Sequence, residues 1–220
     1  NSSNVVPLEG KPLFSIYSLP WGGLNPDNGN PLGFLDGELS ENYSAIISTA
    51  TPESIRFHGS ARPTVFGSLR NTLDYKGFSL SFNITFRAGY YFRRSSVDYA
   101  ALSRGQISHA DYGIRWQNPG DELTTQVPSQ PTALNTVRQS FYQRSSVLVE
   151  RGDHIRFQDV RFGYTFSKAS NPRFPFLNME VFTYLNNLGL IWKATDQPID
   201  PDFPIAVPQR TAAIGLRIDF

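Results

Sequence analysis

The three histidines are the first residues to examine for catalysis or metal binding. His58, His109 and His154 lie far apart along the chain, and none has a second ligand at the spacing of a metal site. The chain has no cysteine, which excludes thiol catalysis, cysteine-based metal sites and disulfide scaffolds. It also has no G-x-S-x-G or similar nucleophile motif. We therefore expect surface histidines, no enzyme and no resident cofactor.

One short stretch leaves calcium open as an alternative. Residues 25–31 read NPDNGNP, and Asn25, Asp27 and Asn30 resemble the alternating Asp and Asn ligands of calcium loops. The stretch has only one carboxylate and is interrupted by proline. Asn, Gly and Pro explain it equally as a turn without an ion.

Composition restricts the class of protein only loosely. The chain has 220 residues, a net charge of +1 and slightly polar mean hydropathy, so its charge favours no nucleic-acid partner. No run approaches the roughly 18 apolar residues of a membrane helix. No signal peptide is visible and the first residue is not Met, so we expect a mature or truncated piece of a longer protein. Aromatic residues make up 14%, which suits a soluble β-sandwich or a transmembrane β-barrel.

Apolar residues recur with a period of two, which predicts strands. The clearest is FSLSFNITFRAGYYF, residues 78–92, in which every second residue is apolar. In the predicted strand His154–Phe166, Ile155 and Phe157 are out of phase with the later apolar residues. We therefore expect a β-bulge near Gln158 and Asp159. The six predicted strands are Lys11–Leu19, Thr64–Tyr75, Phe78–Phe92, His154–Phe166, Phe176–Leu188 and Arg210–Phe220.

Short and long connections alternate between these strands. Lys76-Gly77 and Ser167–Pro175 are short, whereas the other three connections cover residues 20–63, 93–153 and 189–209. Such long loops are unexpected in a compact soluble domain, but outer-membrane barrels have short periplasmic turns and long extracellular loops. With a periplasmic C-terminus, all three long connections lie outside. The pattern predicts an all-β fold: an antiparallel transmembrane β-barrel with long extracellular loops.

Strand length and aromatic placement favour the same fold. Fifteen tilted residues span about 38 Å, enough for an apolar band of about 25 Å and both interfaces. Aromatic residues collect at both predicted strand ends, as in membrane-interface belts; the alternative is the core of a large soluble β-sandwich. The predicted periplasmic group is Tyr75, Phe78, Tyr164, Phe166, Phe174, Phe176 and Phe220, and the predicted outer group is Trp21, Tyr90, Tyr91, Phe92 and Trp192.

A barrel wall requires one face toward lipid and one toward a wet lumen. The polar residues opposite the apolar rows are lumen-facing candidates, and we expect them chiefly to fill the lumen with hydrogen-bond donors rather than to bind ligand. They are Arg70, Asn83, Arg87, Arg161 and Arg217. Six strands cannot close a barrel of the observed range, which starts at eight, so the predicted wall is partial.

Four motifs carry a resemblance to a known family. They read HGSARPTVFGSLRNTLDYKGFSLSFNITFRAGYYFRR (residues 58–94), VLVERGDHIRFQDVRFGYTF (147–166), LNNLGLIWK (185–193) and IGLRIDF (214–220). In this order they resemble the C-terminal part of the SusC/RagA family of TonB-dependent outer-membrane transporters from Bacteroidetes. Phe220 matches the terminal aromatic residue that such barrels use for membrane assembly.

The resemblance implies a larger protein than this chain. The whole sequence, residues 1–220, would be the C-terminal segment of a roughly 22-stranded barrel, without the N-terminal strands, the plug domain and the TonB-contacting segment. A SusD-like surface lipoprotein would cover the barrel, and the cargo would be oligosaccharides or peptides.

Two other classes of function stay open. One is a non-transporting surface β-protein such as an adhesin or binding module. The other is a barrel enzyme, although the sequence places no Ser–His pair on adjoining strands. The aromatic residues of the long connections suit either ligand binding or packing. They are Tyr43, Tyr99, Tyr112, Trp116 and Tyr142.

Overall fold

The computed structural model describes residues 8–106 and 109–220 and divides into two compact units. Unit 1 comprises Asn1–Arg62 and Tyr91–Arg151, and unit 2 comprises Pro63–Tyr90 and Gly152–Phe220. Each unit therefore combines two separate stretches of the chain. None of the described helices is long and apolar enough to cross a membrane.

Strands dominate the part of the chain that the structure describes. They are β1 (Ser15–Ser18), β2 (Gly33–Leu35), β3 (Glu38–Ser40), β4 (Arg56–Ser60), β5 (Val65–Tyr75), β6 (Phe78–Ala88), β7 (Tyr91–Arg93), β8 (Val149–Arg151), β9 (His154–Ser167), β10 (Asn178–Lys193) and β11 (Thr211–Asp219). The helices are α1 (Tyr43–Ser48), α2 (Tyr99–Ser103), α3 (Thr136–Arg144) and the short 3-10 helices Ala110–Ile114, Asp121–Leu123 and Ser146–Leu148.

Unit 2 is one antiparallel sheet in the order β5–β6–β9–β10–β11. Each strand pairs with its neighbour in the unit's chain order, so the sheet is an up-and-down meander. Because all neighbours are antiparallel, the two short connections lie at one end of the sheet and the long connections start from the other, as the sequence predicts. β5 and β11 are the two edges, and the described strands do not close into a barrel.

The turn between β5 and β6 is a two-residue hairpin, as predicted. Lys76 and Gly77 both have positive φ, 46° and 87°, which is the requirement of a type I′ turn. The carbonyl of Gly77 accepts a hydrogen bond from the Thr165 N–H at 2.8 Å, which ties the turn to β9. The tightest connection of the sheet is therefore fixed by its own backbone and by the next strand.

The predicted β-bulge is present in β9. Asn83 lies opposite Asp159 and Ile84 lies opposite Phe157, so Gln158 has no partner on β6. The extra residue places Phe157 on the same face as Val160. The phase break in the sequence is thus a local insertion in one continuous strand.

Two predicted strand ends are wrong. β6 ends at Ala88 rather than Phe92, because Gly89 has a φ of 73° and its N–H donates to Asp153 Oδ1 at 2.8 Å. β10 continues to Lys193 rather than ending at Leu188. Its Asn-Asn-Leu-Gly stretch has the composition of a turn, but register shifts relative to β9 absorb it within the strand.

The first predicted strand is also wrong in extent and in partner. It is only four residues long and pairs with β4 inside unit 1, not with the large sheet. Five of the six predicted strands therefore share one sheet. No single strand period describes the long connections 20–63 and 93–153, whose buried apolar residues pack in unit 1 instead.

Unit 1 has a hydrophobic core of two clusters. The first contains Val97, Tyr99, Val127, Tyr142 and Leu148, and the second contains Leu19, Tyr43, Ile46 and Phe141. Helix α3 supplies Phe141 and Tyr142, so it contributes to both. Its N-terminus is capped by Asn135, whose Oδ1 accepts the Arg138 N–H at 2.9 Å. The long connections predicted from the sequence therefore include a packed unit with its own core.

Substituting Gly77 with alanine tests the hairpin. A Cβ at this position would lie 2.9 Å from the Thr165 carbonyl oxygen and would have to adopt a left-handed φ. We expect Gly77→Ala to lower the free energy of unfolding by about 1–2 kcal/mol. Gly113→Ala is the control, because a Cβ there meets nothing within 4 Å. Urea unfolding of the native polypeptide, followed by tryptophan fluorescence, would contradict the turn if both variants were equally stable.

Candidate functional site

The register of the large sheet sorts its side chains onto two faces. Residues directly opposite on neighbouring strands point to the same face. One row across all five strands is Tyr75, Phe78, Tyr164, Val181 and Leu216, and it is apolar except for the tyrosine hydroxyls. A row on the opposite face is Arg70, Asn83, Asp159, Asn186 and Thr211, and it is entirely polar.

The apolar face is not covered within the described chain. Leu69 is 59% exposed and Ile214 is 82% exposed. Tyr90 is the one buried hydrophobic side chain that the described residues of unit 2 contain; the other buried hydrophobic residues belong to unit 1. Unit 2 is therefore a sheet without a hydrophobic core of its own.

All five lumen-facing candidates lie on the polar face of this sheet. The strand register places them there. Four of them have apolar neighbours on both sides along their own strand, whereas Arg70 lies between Leu69 and Asn71. That this face borders a wet lumen stays a prediction. The five are Arg70, Asn83, Arg87, Arg161 and Arg217.

Asp159 organises the middle of the polar face. Its Oδ2 accepts hydrogen bonds from Arg70 Nη2 at 3.1 Å and from Asn83 Nδ2 at 3.2 Å. Asp159 is 3% exposed, whereas the Arg70 side chain is 53% exposed. Arg70 lies on β5 and Asn83 on β6. Asp159, beside the bulge on β9, therefore joins three strands by charge-assisted hydrogen bonds.

Arg161 forms a second polar cluster on the same face. Its Nη2 donates to Glu180 Oε1 at 2.6 Å, and its guanidinium lies 4.4 Å from the centre of the Phe182 ring. The Phe182 ring packs over Gly215, where an added Cβ would approach it to 2.2 Å. Arg217, by contrast, makes an exposed pair with Asp219 at 3.3 Å, which we expect to contribute little to stability.

The end of the polar face away from the hairpin carries the densest cluster of charge. Arg87 and His154 lie directly opposite each other on β6 and β9, and Arg156 lies two residues further along β9. Their carboxylate partners are Asp200 and Asp202, from the connection between β10 and β11. Asp200 accepts a hydrogen bond from Arg156 at 2.5 Å, and Asp202 accepts one from Arg87 at 2.6 Å.

The arginine partners were missed by the sequence reasoning. It assigned lumen positions only to residues in regular alternation, and so passed over Asp159 at the bulge and Asp200 and Asp202 in a loop. Asp200-Pro201-Asp202-Phe203 is itself a turn signal, with Asp and Pro at favoured positions. The Phe203 N–H donates to the Asp200 carbonyl at 3.0 Å, so the turn forms. An acidic turn that starts from the same end of the sheet as Arg87 and Arg156 could have indicated the contact.

The expectation of surface histidines is wrong for His154. It is 2% exposed, with Nε2 lying 3.1 Å from Asp202 Oδ2. His58 is half-buried beside Ser18, and burial, with the charges of Arg56 and Arg93, lowers its pKa to about 4. No group of three or more metal-ligating side chains occurs among residues 8–106 and 109–220.

The candidate calcium residues surround a carboxylate of their own chain. Asn25 and Asn30 donate from Nδ2 to the two oxygens of Glu41, at 2.6 and 2.7 Å. Their side-chain oxygens are also engaged: Asn25 Oδ1 accepts the Asp27 N–H, and Asn30 Oδ1 accepts from Arg138 Nε at 2.8 Å. In this arrangement the loop amides of Asn25, Asn28 and Asn30 bind Glu41, and Arg138 binds Asn30.

The aromatic residues of the long connections serve packing. Four of the five are buried, with Tyr142 at 1% and Trp116 at 7% exposure, and Tyr112 packs against the first cluster of unit 1. Two members of the predicted outer group are packed in the same way. Trp21 stacks on Phe141, and Tyr90 is buried, so Trp192, at 51% exposure, is the clearest exposed member.

The aromatic residues at the other end of the sheet form a continuous chain of ring contacts. Phe220 contacts Phe176 with ring centres 5.5 Å apart, and Phe176 contacts Phe174 at 5.8 Å. The chain continues through Phe166 and Tyr164 to Phe78. The C-terminal residue is thus joined to an aromatic band at the short-turn end.

Solved structures of similar fold support the sheet assignment. No protein-family model and no curated protein matches the sequence. A chain in "Structure of the RagAB peptide transporter" matches 94% of this chain at 15% identity and a TM-score of 0.62. Chains in the 'open-open' and 'closed-closed' RagAB peptide importer match the same share at 15% and 16% identity, with TM-scores of 0.57 and 0.63. This chain covers only 22–23% of those chains, and the likeness is one of fold.

Removing the carboxylate of Asp159 tests the polar network. We expect Asp159→Ala to lower the free energy of unfolding by about 1–3 kcal/mol, because Asn83 and Arg70 lose the acceptor that they share in a nearly buried position. Asp219→Ala removes the carboxylate of an exposed pair and should change stability by less than about 1 kcal/mol. Urea unfolding of both variants in the native polypeptide measures the difference, and equal losses would contradict the central role of Asp159.

Proposed function

We propose that this chain is part of the wall of an outer-membrane β-barrel and supplies the C-terminal strands of a SusC/RagA-type, TonB-dependent nutrient importer. One observation carries the proposal. The five-stranded sheet presents an exposed apolar face opposite a polar, ion-paired face, and both of its edges are open.

The apolar face favours a lipid environment over water. A soluble antiparallel sheet covers its apolar face with helices or with a second sheet. In unit 2 the described chain provides neither layer. Lipid would cover the face in a barrel wall, and polar residues would then be required on the other side. The ion pairs of Asp159, Glu180 and Asp202 lie on that other side.

The open edges favour additional strands. In a membrane, unpaired backbone N–H and C=O groups cost several kcal/mol each, so a spanning sheet must close. Five strands fall short of the eight in the smallest barrels. We propose that neighbouring strands pair with β5 and β11 and that they belong to the same polypeptide, in a barrel of about 22 strands.

The fold likeness and the sequence motifs suggest the cargo and the partners. The matched structures are named as peptide transporters and importers, and the resemblance of the four motifs is to SusC/RagA proteins. We propose that the parent protein imports peptides or oligosaccharides, with the names of the neighbours favouring peptides. A SusD-like lipoprotein would be the surface partner, and TonB would act through a plug region outside this sequence. The proposed role is transport rather than catalysis.

A non-transporting surface β-protein is the second candidate. The observation that favours it is unit 1, which has its own buried core and could serve as a binding module. An adhesin of this kind would not need a lipid-facing sheet. The two candidates therefore differ in what they predict for the apolar face of unit 2.

The native polypeptide and its companions test the importer. An antibody raised against residues 93–153 should detect, in source outer membranes, a band of about 100 kDa, the size that a plug and about 22 strands require. Mild detergent extraction should co-isolate a lipoprotein with it. A band near 24.7 kDa in the soluble fraction would contradict the single-chain importer.

An arginine on each face of β5 tests the membrane orientation. Leu69 and Ser68 are adjacent, exposed, and on opposite faces near the middle of the strand. In a lipid-facing wall, Leu69→Arg should destabilise the folded barrel by about 2–4 kcal/mol, while Ser68→Arg should be tolerated. Outer-membrane yield and unfolding in detergent micelles measure both. Equal tolerance would contradict a lipid-facing sheet, because a solvated surface accepts arginine at either position.

A further inference from the structure

The connection between β10 and β11 is fixed along its first half and exposed along its second. Lys193 Nζ donates to the carbonyls of Gln197 and Ile199, and the Ala194 N–H donates to the Asp153 carbonyl at 2.8 Å. The turn Asp200–Phe203 then places two carboxylates against the polar face. Beyond it, Ile205 is 79% exposed and Val207 is 63% exposed. We call residues 194–204 the strap.

The strap is held at Asp202 by two arginines and a histidine. Arg87 donates to Oδ1 at 2.6 Å, while His154 Nε2 lies 3.1 Å and Arg156 Nε 3.6 Å from Oδ2. Arg156 already donates to Asp200, and Arg87 is 51% exposed, so solvent screens its contribution. The buried contact with His154 is therefore the one most sensitive to a change of charge.

Both ring nitrogens of His154 face acceptors. Nε2 faces the Asp202 carboxylate, and Nδ1 lies 2.8 Å from the Gly152 carbonyl oxygen, with the Tyr90 hydroxyl at 3.3 Å. A neutral imidazole has one proton. One tautomer would direct a lone pair at the carboxylate, and the other would direct a lone pair at the carbonyl. The neutral tautomer with its proton on Nε2 keeps the hydrogen bond to Asp202, with Nδ1 accepting from the Tyr90 hydroxyl. Only the imidazolium donates to both Asp202 and the Gly152 carbonyl and adds a positive charge beside the carboxylate.

We propose that the strap is a pH-dependent latch on the polar face, held most tightly when His154 is an imidazolium and loosened at the Asp202 end when His154 loses a proton. Loosening gives whatever occupies that face greater access to Arg87, His154 and Arg156. The inference does not rest on the transport function, since it concerns contacts within unit 2.

The surrounding charges determine the direction of the pH dependence. From the strap, Asp200 and Asp202 face the site; from β6, Arg87; and from β9, Arg156. The Tyr90 hydroxyl lies beside the ring, and Lys193 lies directly opposite His154 on β10. Burial alone would raise the pKa of Asp202, but the hydrogen bond to His154 and the nearby arginines lower it below its usual value. Asp202 therefore stays ionised through mildly acidic pH, and the strap loosens as rising pH removes the proton of His154.

A spin label at Ile205→Cys tests the latch in the native polypeptide. The chain has no cysteine of its own, so the label reports one site once any cysteine elsewhere is replaced by serine. Between pH 5 and pH 9, the electron paramagnetic resonance spectrum should change from restricted to mobile. His154→Gln should give the mobile spectrum at both pH values. His109→Gln is the control, since its ring lies beside Asp111 in unit 1, and it should keep the pH response.

A second variant keeps the result independent of effects on the sheet. Asp202 lies outside every strand, so Asp202→Asn breaks the same contact without altering β9, and it should also give the mobile spectrum throughout. A pH-independent spectrum in the wild type would overturn the latch. So would a pH response that persisted in both His154→Gln and Asp202→Asn.

Discussion

The five-stranded sheet has an apolar face that must be shielded from water. Rows of aliphatic and aromatic side chains run across all five strands in register, and no layer within unit 2 covers them. The opposite face carries arginines paired with buried or half-buried carboxylates. A sheet with these two faces and two unpaired edges needs a cover for one face and partners for its edges, and the proposed barrel wall supplies both with lipid and further strands.

The two faces are stabilised in different ways. The apolar face gains stability from its surroundings, whereas the polar face is organised within the chain by Asp159, Glu180 and the Asp200–Asp202 turn. Unit 1 differs from both, because helix α3 joins two hydrophobic clusters into a core like that of a soluble domain. One chain thus combines a wall that needs partners with a unit that packs on its own.

The sheet could be predicted from regular alternation of apolar and polar residues. Features that depend on contacts between distant parts of the chain could not. Five strands, the Lys76-Gly77 hairpin and the bulge at Gln158 follow from side-chain period and turn chemistry, which are local properties. The end of β6 depends on a hydrogen bond from Gly89 to Asp153, and the burial of His154 depends on a distant loop. Both are contacts between residues remote in sequence, and no period encodes them. The packing of unit 1 was missed for the same reason.

The central claim is that one face of this sheet meets lipid. Its most direct measurement places a bimane fluorophore on single cysteines at successive positions of β6, from Phe78 to Ala88, in the native polypeptide reconstituted into vesicles. The account predicts alternation: quenching by doxyl-labelled lipid at Phe78, Leu80, Phe82, Ile84 and Phe86, and quenching by aqueous iodide at the residues between them. Iodide quenching on both faces, without lipid quenching, would contradict it and indicate a solvated β-protein.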